Sequence, residues 1–325
     1  MKPYLESSSS FVGVGGWAYF PSKLPNKLAI CAKIFDFVEL NSSFYKLPQE
    51  SLALKWRSTV PDTFQFSVRA NGKLTHENHL EPLDECFKEY ERNLIICKAL
   101  RAFVLHFQFP PSFEVTNTVL QNWRGFFGSL KKEKGLNFAI EVRNPHGDRN
   151  ALRALMDDYD IIPTSDPSRG EIEPSNDSKI TYSRVFGRGE HTKWTFSSRE
   201  LEELKQKVLK TPATRRYLTF HNMTMYEDGV RMKQLLQPEG RDLEASIVGI
   251  DSLKESIIAE RIQFPIIGRE LSSRLAWRTV GIPGGQRVHV NEIMKNLEGT
   301  RFGSFGEVLD KCEPHFLPIE TGRRS

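Results

Sequence analysis

Apolar, β-branched and aromatic residues gather in eight short runs: Phe11–Val14, Phe37–Leu40, Phe64–Val68, Phe103–Phe107, Phe138–Val142, Ile161–Thr164, Ile180–Phe186 and Tyr217–Phe220. Short apolar runs closed by polar residues fit strands buried on both faces. Between them, Asn26–Phe35, Gln49–Arg57, Leu83–Leu100, Thr116–Lys131, Asp148–Tyr159, Ser197–Leu209 and Tyr226–Leu236 read as helices. In Leu83–Leu100, Phe87, Leu94 and Ile95 alternate with Lys88, Glu89, Glu91 and Arg92 near the 3.6-residue period. Ser197-x-x-Glu200 has the form of a capping box. The connection Asp166–Lys179 is polar and rich in Pro, Gly and Ser, a loop in place of a helix. Regular alternation of strand and helix predicts a parallel sheet with right-handed crossovers. Eight units over about 225 residues fit a TIM-type (β/α)8 barrel over 11–237; an open doubly wound sheet is the alternative.

After Pro238 the rhythm breaks. Ser252–Arg261, opening Ser252-x-x-Glu255, and Gly268–Ala276 read as helices. Trp277–Val280 and Arg287–Val290 read as a hairpin, with Asn291–Leu297 and Ser304–Cys312 as further helical stretches. The expectation is a small α+β unit over 251–316. Helix, ribbon and helix resemble a winged helix, but Ala259–Ser325 carries ten Lys/Arg against eight Asp/Glu. Nucleic-acid modules show a stronger basic face, which favours an interaction or packing module.

The chain has 325 residues, 39% hydrophobic and 26% charged, the composition of an ordinary globular protein. Its length suits one large domain with an appendage. No run of eighteen apolar residues occurs, and Met1–Ser10, expected to be disordered, lacks the apolar core of a signal peptide. Cys31, Cys86, Cys97 and Cys312 form no Cys-x-x-Cys pair. Cys86 and Cys97, on one helix, stand roughly 16 Å apart at 1.5 Å per residue, too far to bridge. Reduced thiols and a cytoplasmic home follow. A net charge of +4 permits an anionic ligand without demanding one.

The exits of the strands hold the candidate chemistry, because a barrel displays its site where parallel strands end. They are Glu39 with Asn41, Arg69, Gln108, Glu141 with Arg143, Asp166, Arg184, and His221 with Asn222. Alternation puts Glu141 and Arg143 on one face with Ala139, and Glu39 and Asn41 on one face with Phe37. Buried unpaired, such groups are costly. Glu39 and Glu141 are therefore the candidate proton-transfer pair, or oxygen ligands of a divalent metal. The competing reading is a structural ion network with Arg69, Arg143 and Arg184. His76 and Lys73 follow the third strand; His76 is a candidate proton carrier or a loop-fixing donor, and Lys73 a mobile point charge. Gly187-Arg-Gly189, after the seventh strand, and Gly13, Gly15 and Gly16, after the first, suit close approach by a ligand or a tight turn. Asp166 and His221 could join the glutamates around a metal, though the spacing is not diagnostic. Trp17, Tyr19, Phe44, Tyr45, Phe107 and Phe109 could stack on a ring or simply be core. No Walker loop, dinucleotide fingerprint or serine–histidine–acid motif is present.

Val38-Glu-Leu-Asn-Ser-Ser-Phe-Tyr45, with Gly13-x-Gly-Gly-Trp17-x-Tyr19 before it and His106-Phe-Gln-Phe-Pro-Pro-Ser-Phe113 and Ala139-Ile-Glu-Val-Arg143 after it, resembles the YecE-like family. That family is also called domain of unknown function seventy-two. The resemblance runs from about Phe11 to Leu236 and implies a TIM-type barrel, with no activity attached. The sequence departs from the family pattern at Asn144-Pro145-His146-Gly147, at Arg184-Val-Phe-Gly187 and at Phe220-His221-Asn222. A ligand gripped there by the family's aromatic or imidazole groups would be held differently.

Three functions remain open to this sequence. The first is an enzyme acting on a phosphorylated or polyhydroxylated small molecule. There Glu39, Glu141 and His76 handle protons, and Asn41, Arg69, Lys73, Gln108, Arg143, Arg184, Gly187 and Asn222 bind the substrate. The second is a nuclease or nucleic-acid repair enzyme, and the third a non-catalytic binding or scaffold protein.

Overall fold

Each apolar run forms a strand: β1 (Ser9–Val14), β2 (Phe37–Leu40), β3 (Gln65–Arg69), β4 (Val104–Gln108), β5 (Asn137–Glu141), β6 (Ile161–Ser165), β7 (Ile180–Val185) and β8 (Arg215–Phe220). They pair in parallel in sequence order and close, β8 against β1, which excludes the open sheet. The computed structural model describes residues 9–20, 26–131, 133–143, 148–172, 179–188, 194–236, 249–276, 278–282 and 287–316. Residues 144–147, Gly189 and 1–8, named from the sequence above, lie outside them. Ser9 and Ser10, expected to be disordered, instead open β1 and pair with Arg215 and Arg216.

The crossover helices are α1 (Lys27–Ile34), α2 (Glu50–Thr59), α3 (Asp84–Leu100), α4 (Asn117–Ser129), α5 (Arg149–Asp158), α6 (Ser198–Lys210) and α7 (Met225–Leu236). Side-chain oxygens satisfy the orphan N–H groups at several starts. Thr116 accepts from Val119 N, Asp148 from Asn150 and Ala151 N, and Ser197 with Glu200 completes the expected capping box. Asp166–Lys179 shows no helix among its described residues. Lys73–Glu77, expected as loop, winds into a π-helical turn.

The lower end of the barrel is an aromatic plug. Phe11, Phe37 and Phe103 pack on Tyr217 with ring centroids 4.7, 5.4 and 4.1 Å away, beside Ala139, Ile162 and Tyr182. Each large ring removes some 150–250 Å² from water, worth several kcal/mol at roughly 25 cal/mol per Å². The plug fills one end of the barrel interior, so the polar inward-facing side chains gather towards the other.

Two units emerge from the packing. One holds the described residues of Met1–Trp17 and Leu28–Pro238, the other those of Ala18–Lys27 and Glu239–Ser325. In the second unit α8 (Ile250–Ala259), β9 (Ile266–Ile267), α9 (Gly268–Leu275), β10 (Thr279–Gly281), β11 (Arg287–His289), α10 (Val290–Ile293), β12 (Arg301–Phe302) and α11 (Phe305–Cys312) follow one another. The hairpin β10–β11 forms as expected, while the pairing of β9 with β12 has no counterpart in the sequence reading. Ser252 does not cap its helix: α8 begins at Ile250, and the Ser252 hydroxyl donates to Gly249 O. The core is Leu253, Ile257, Leu271, Leu275, Val290, Met294, Phe302 and Val308.

No helix among the described residues is long and apolar enough to cross a membrane. All four cysteines are buried and unbridged.

Candidate functional site

Alternation along the strands decides which side chains enter the barrel. On β7 Tyr182 and Arg184 point inward with Ile180; on β4 His106 and Gln108 follow Val104; on β5 Glu141 follows Ala139; on β2 Glu39 follows Phe37. The register sets Glu39 opposite Ser67, Arg69 opposite His106, Gln108 opposite Glu141 and Arg184 opposite Thr219. Polar residues from six strands thus meet just above the aromatic plug.

Arg184 is the hub. Its Nη2 donates to Glu39 Oε1 at 3.0 Å and its Nη1 to Glu141 Oε2 at 2.7 Å. Nε donates to His221 Nε2 at 3.3 Å, and Nη1 reaches Gln108 Oε1 at 3.5 Å. Burial acts to lower the pKa of this guanidinium, but Glu39 and Glu141 outweigh that and raise it. Below, the Tyr182 hydroxyl donates to Glu39 Oε2 at 2.6 Å and lies 2.8 Å from Ser67 Oγ. Burial and the neighbouring Glu39 push the phenol well above its ordinary value, so it stays a donor.

His106 lies between the carboxylates, fully buried, with Nδ1 3.8 Å from Glu39 Oε2 and Nε2 3.4 Å from Glu141 Oε2. Neither ring nitrogen has a hydrogen-bond partner among the described residues. Burial first, then Arg184, Arg69 and Arg143, hold its pKa well below 6.5, and the imidazole is neutral. His221 is neutral for the same leading reasons, burial and then Arg184. Its ring stacks on Phe186 and fills the space where a Cβ on Gly15 would stand 2.3 Å from Nδ1. Gly13 likewise yields to the Phe37 ring. These glycines admit side chains of the barrel, whereas the sequence had suggested room for a ligand.

Nearer the opening, Arg143 Nε donates to Glu141 Oε1 at 2.7 Å while its guanidinium lies over Phe186. The Glu141 carboxyl would be raised by burial, but Arg184 and Arg143 hold it below 4.5. Arg69 donates from Nη1 to Asn41 Oδ1 at 3.0 Å and lies 3.8 Å over the Phe44 ring. It makes no ion pair among the described residues, and its buried Nε has no partner. Burial and then the like charge of Arg184 bring its pKa down to about 10. His76 stands against Phe44 at 4.7 Å with Nδ1 2.9 Å from Thr75 Oγ1. Its pKa is lowered by burial, then by Arg69.

The structure therefore brings together Glu39, Asn41, Arg69, His76, Gln108, Glu141, Arg143, Arg184 and His221. Access is graded: Glu39 is 0% exposed and Arg184 2%, against 7% for Glu141 and 9% for Arg69. Glu39, expected at a strand exit as half of the proton-transfer pair, is fully buried beneath Arg184.

Three expected residues are engaged elsewhere, and a fourth, Lys73, stands apart from the cluster. Asp166 accepts from Ser168 N and Oγ and from Phe186 N, pinning the sixth and seventh exit loops instead of pairing with His221. The Gly187 N–H, expected to face an anion, donates to Ser168 Oγ at 3.0 Å, and its φ of 82° with Trp194 against it explains the glycine. Asn222 donates to Asp228 Oδ2 at 2.6 Å and to Trp194 O, fastening the eighth exit loop to α7. Lys73 is exposed, with no side-chain partner among the described residues. No group of three or more His, Cys, Asp or Glu there is arranged to hold a metal.

Of the aromatics, Phe107 and Phe109 belong to the outer packing with Phe127 and Trp123, and Trp17 packs on Trp56. Tyr45 is exposed and Phe44 supports Arg69. His106 and Tyr182 were missed as site residues. Each sits two positions before a residue already chosen, Gln108 and Arg184, and so shares its face.

The family described as "Protein of unknown function DUF72" matches residues 11–248. UPF0759 protein YunF of Bacillus subtilis is 32% identical over 148 residues, 41% of this chain and 50% of that protein. UPF0759 protein YecE of Escherichia coli K12 is 29% identical over 114 residues, 35% of this chain and 40% of that protein. The chain thus matches half or less of the length of these curated relatives. Among solved structures, a DUF72 family protein from Thermotoga maritima has a TM-score of 0.59 at 19% identity, covering 70% of this chain and 98% of that one. Another, from Enterococcus faecalis, has a TM-score of 0.57 at 19% identity, covering 71% and 98%. At such identity the likeness speaks for the fold alone.

Proposed function

Because the chain belongs to the DUF72 family, whose description assigns no activity, its function must be read from the barrel mouth, where we propose an enzyme acting on a small phosphorylated or polyhydroxylated anion by proton transfer. The observation that carries this reading is the charge imbalance. Three guanidiniums, Arg69, Arg143 and Arg184, surround two carboxylates, Glu39 and Glu141, and the imidazoles of His106 and His221 among them are neutral. A structural network would balance its charges. Here Arg69 is held ready on Phe44 with no carboxylate of its own, in the geometry that suits a carboxylate or phosphate.

Glu141 is the proton acceptor in this scheme: it is kept ionised and is the better exposed of the two glutamates. Glu39 acts through Arg184 and Tyr182, orienting them from below. Arg69 and Arg143 hold the anion; Asn41 and Gln108 orient Arg69 and Arg184. His76, neutral and beside Arg69, is a second candidate proton carrier.

The test is a panel of sugar and polyol phosphates, with and without Mg2+, Mn2+ or Zn2+, followed by melting temperature and turnover. Stabilisation that disappears in Arg69→Met is expected. A panel that neither stabilises nor turns over removes the reading. Binding confined to nucleic acid, and weakening steeply with salt, would move it to the nuclease class.

A further inference from the structure

We propose that an anion bound at Arg69 and Arg143 is taken up together with a proton, and that the proton resides on His106. The inference rests on the reading that the mouth binds an anion, and it specifies what that binding does inside the barrel.

Hydrogen-bond arithmetic singles out His106. A neutral imidazole has one N–H and one lone pair. The atoms facing the two nitrogens of His106 are carboxylate oxygens, Glu39 Oε2 at 3.8 Å and Glu141 Oε2 at 3.4 Å, and both only accept. Whichever tautomer the neutral ring adopts, its unprotonated nitrogen faces another acceptor, and neither nitrogen makes a hydrogen bond among the described residues. The imidazolium would have an N–H for each carboxylate after small shifts. The acceptors for a proton are in place; the field opposes it.

That field has identifiable sources. Around the ring stand Glu39 from β2, Arg69 from β3, Glu141 on β5 with Arg143 beyond its end, Tyr182 and Arg184 from β7, and His221 just past β8. Arg184 is matched by Glu39 and Glu141, and Arg143 by Glu141. Arg69 feels both carboxylates but forms an ion pair with neither among the described residues, so its charge and burial are what an incoming ligand can offset. A bound dianion cancels positive charge in the mouth and leaves the two carboxylates free to favour the imidazolium. Coupling is reciprocal: anion affinity rises as pH falls, by at most about tenfold per pH unit for one proton. His221 is the poorer site: its Nε2 also lies 3.6 Å from Glu39 Oε1, but Arg184 aims Nε at that nitrogen from 3.3 Å and Nη2 at Nδ1 from 3.5 Å.

Sulfate is the probe, since it does not titrate near neutrality. The ring-nitrogen NMR signals of the whole protein are followed against pH with and without sulfate, chloride keeping the ionic strength constant. His106→Gln and His106→Asn assign the signal, and the measurement itself is made on the wild type. The expected result is a His106 titration displaced upward by about one pH unit or more under saturating sulfate, and no displacement in Arg69→Met. Saturable sulfate binding, seen on the Arg69 and Arg143 Nε signals, with an unmoved His106 overturns the coupling and leaves the anion site standing. Absence of any sulfate binding overturns the anion reading and the coupling with it.

Discussion

Arg184 on β7 donates to Glu39 on β2 across 3.0 Å, linking strands three places apart around the barrel. The same guanidinium reaches Glu141 on β5. One buried side chain thus ties together three strands with no direct pairing to one another, while Tyr182 closes the bridge from beneath. Arg184, with Arg143, also holds the Glu141 carboxyl below its ordinary range, so the residue that bridges these strands also sets the charge state at the barrel mouth.

Replacing Arg184 by Met is expected to cost about 3–5 kcal/mol, the penalty of leaving buried charge unmatched. Adding Glu39→Gln to that variant should recover part of the loss, because one stranded carboxylate is then neutral. Urea unfolding of the two single variants and the double variant measures the coupling. Additive losses would show that the pair carries no energy.

Gly15→Ala is expected to destabilise by about 1–3 kcal/mol, since its Cβ would stand 2.3 Å from His221 Nδ1 and that ring is stacked on Phe186. Gly16→Ala has open space for its Cβ but a φ of 123°, so its cost is backbone strain alone. The comparison is made on urea midpoints. A Gly15→Ala protein as stable as wild type would mean that His221 swings away freely.

How much of the fold and the site is legible in the sequence follows from what each feature depends on. The strands were readable because a barrel buries both faces of every strand, and runs such as Phe138–Val142 and Ile161–Thr164 record that directly. Glu39, Glu141 and Arg184 were readable as costly residues at strand ends. What remained hidden depends on distance between strands. The link from Tyr182 to Glu39, and the placing of His106 between Glu39 and Glu141, are contacts between strands far apart in sequence. Asp166, Gly187 and Asn222 were misplaced for a related reason. A polar residue at a strand end can face the barrel axis or fasten its own loop, and only the neighbouring Ser168, Trp194 and Asp228 decide which.

Glu141→Gln is expected to lower stability at pH 7, with the difference from wild type shrinking in acid. The folded carboxyl lies below its ordinary range, so its contribution is present above the unfolded value near 4.3 and lost as pH falls through the folded one. Stability curves from pH 7 down to pH 3 give the check. A constant offset would show that Glu141 contributes through packing and not through its charge.

Asp228 has the opposite sign. It is fully buried at the start of α7, and burial, opposed by hydrogen bonds from Thr224 and Asn222, pushes its carboxyl up to about 6. A raised folded value means that the fold binds this proton more tightly than the unfolded chain does. The stabilisation is complete below the unfolded value near 3.9 and is lost as pH climbs through about 6. A carboxyl lifted that far makes ionisation inside the fold cost something on the order of 3 kcal/mol. Asp228→Asn keeps an acceptor for Asn222 and Thr224 but cannot ionise. Relative to that variant, wild type should gain stability steadily as pH falls from 7 to 4, and the difference should be flat above pH 7. Because Asp228 also accepts from Phe196 N and pairs with Arg231, the variant carries a fixed loss at every pH, and the slope alone is diagnostic. Parallel curves for the two proteins would place the Asp228 carboxyl at its ordinary value and remove the cost of ionising it inside the fold.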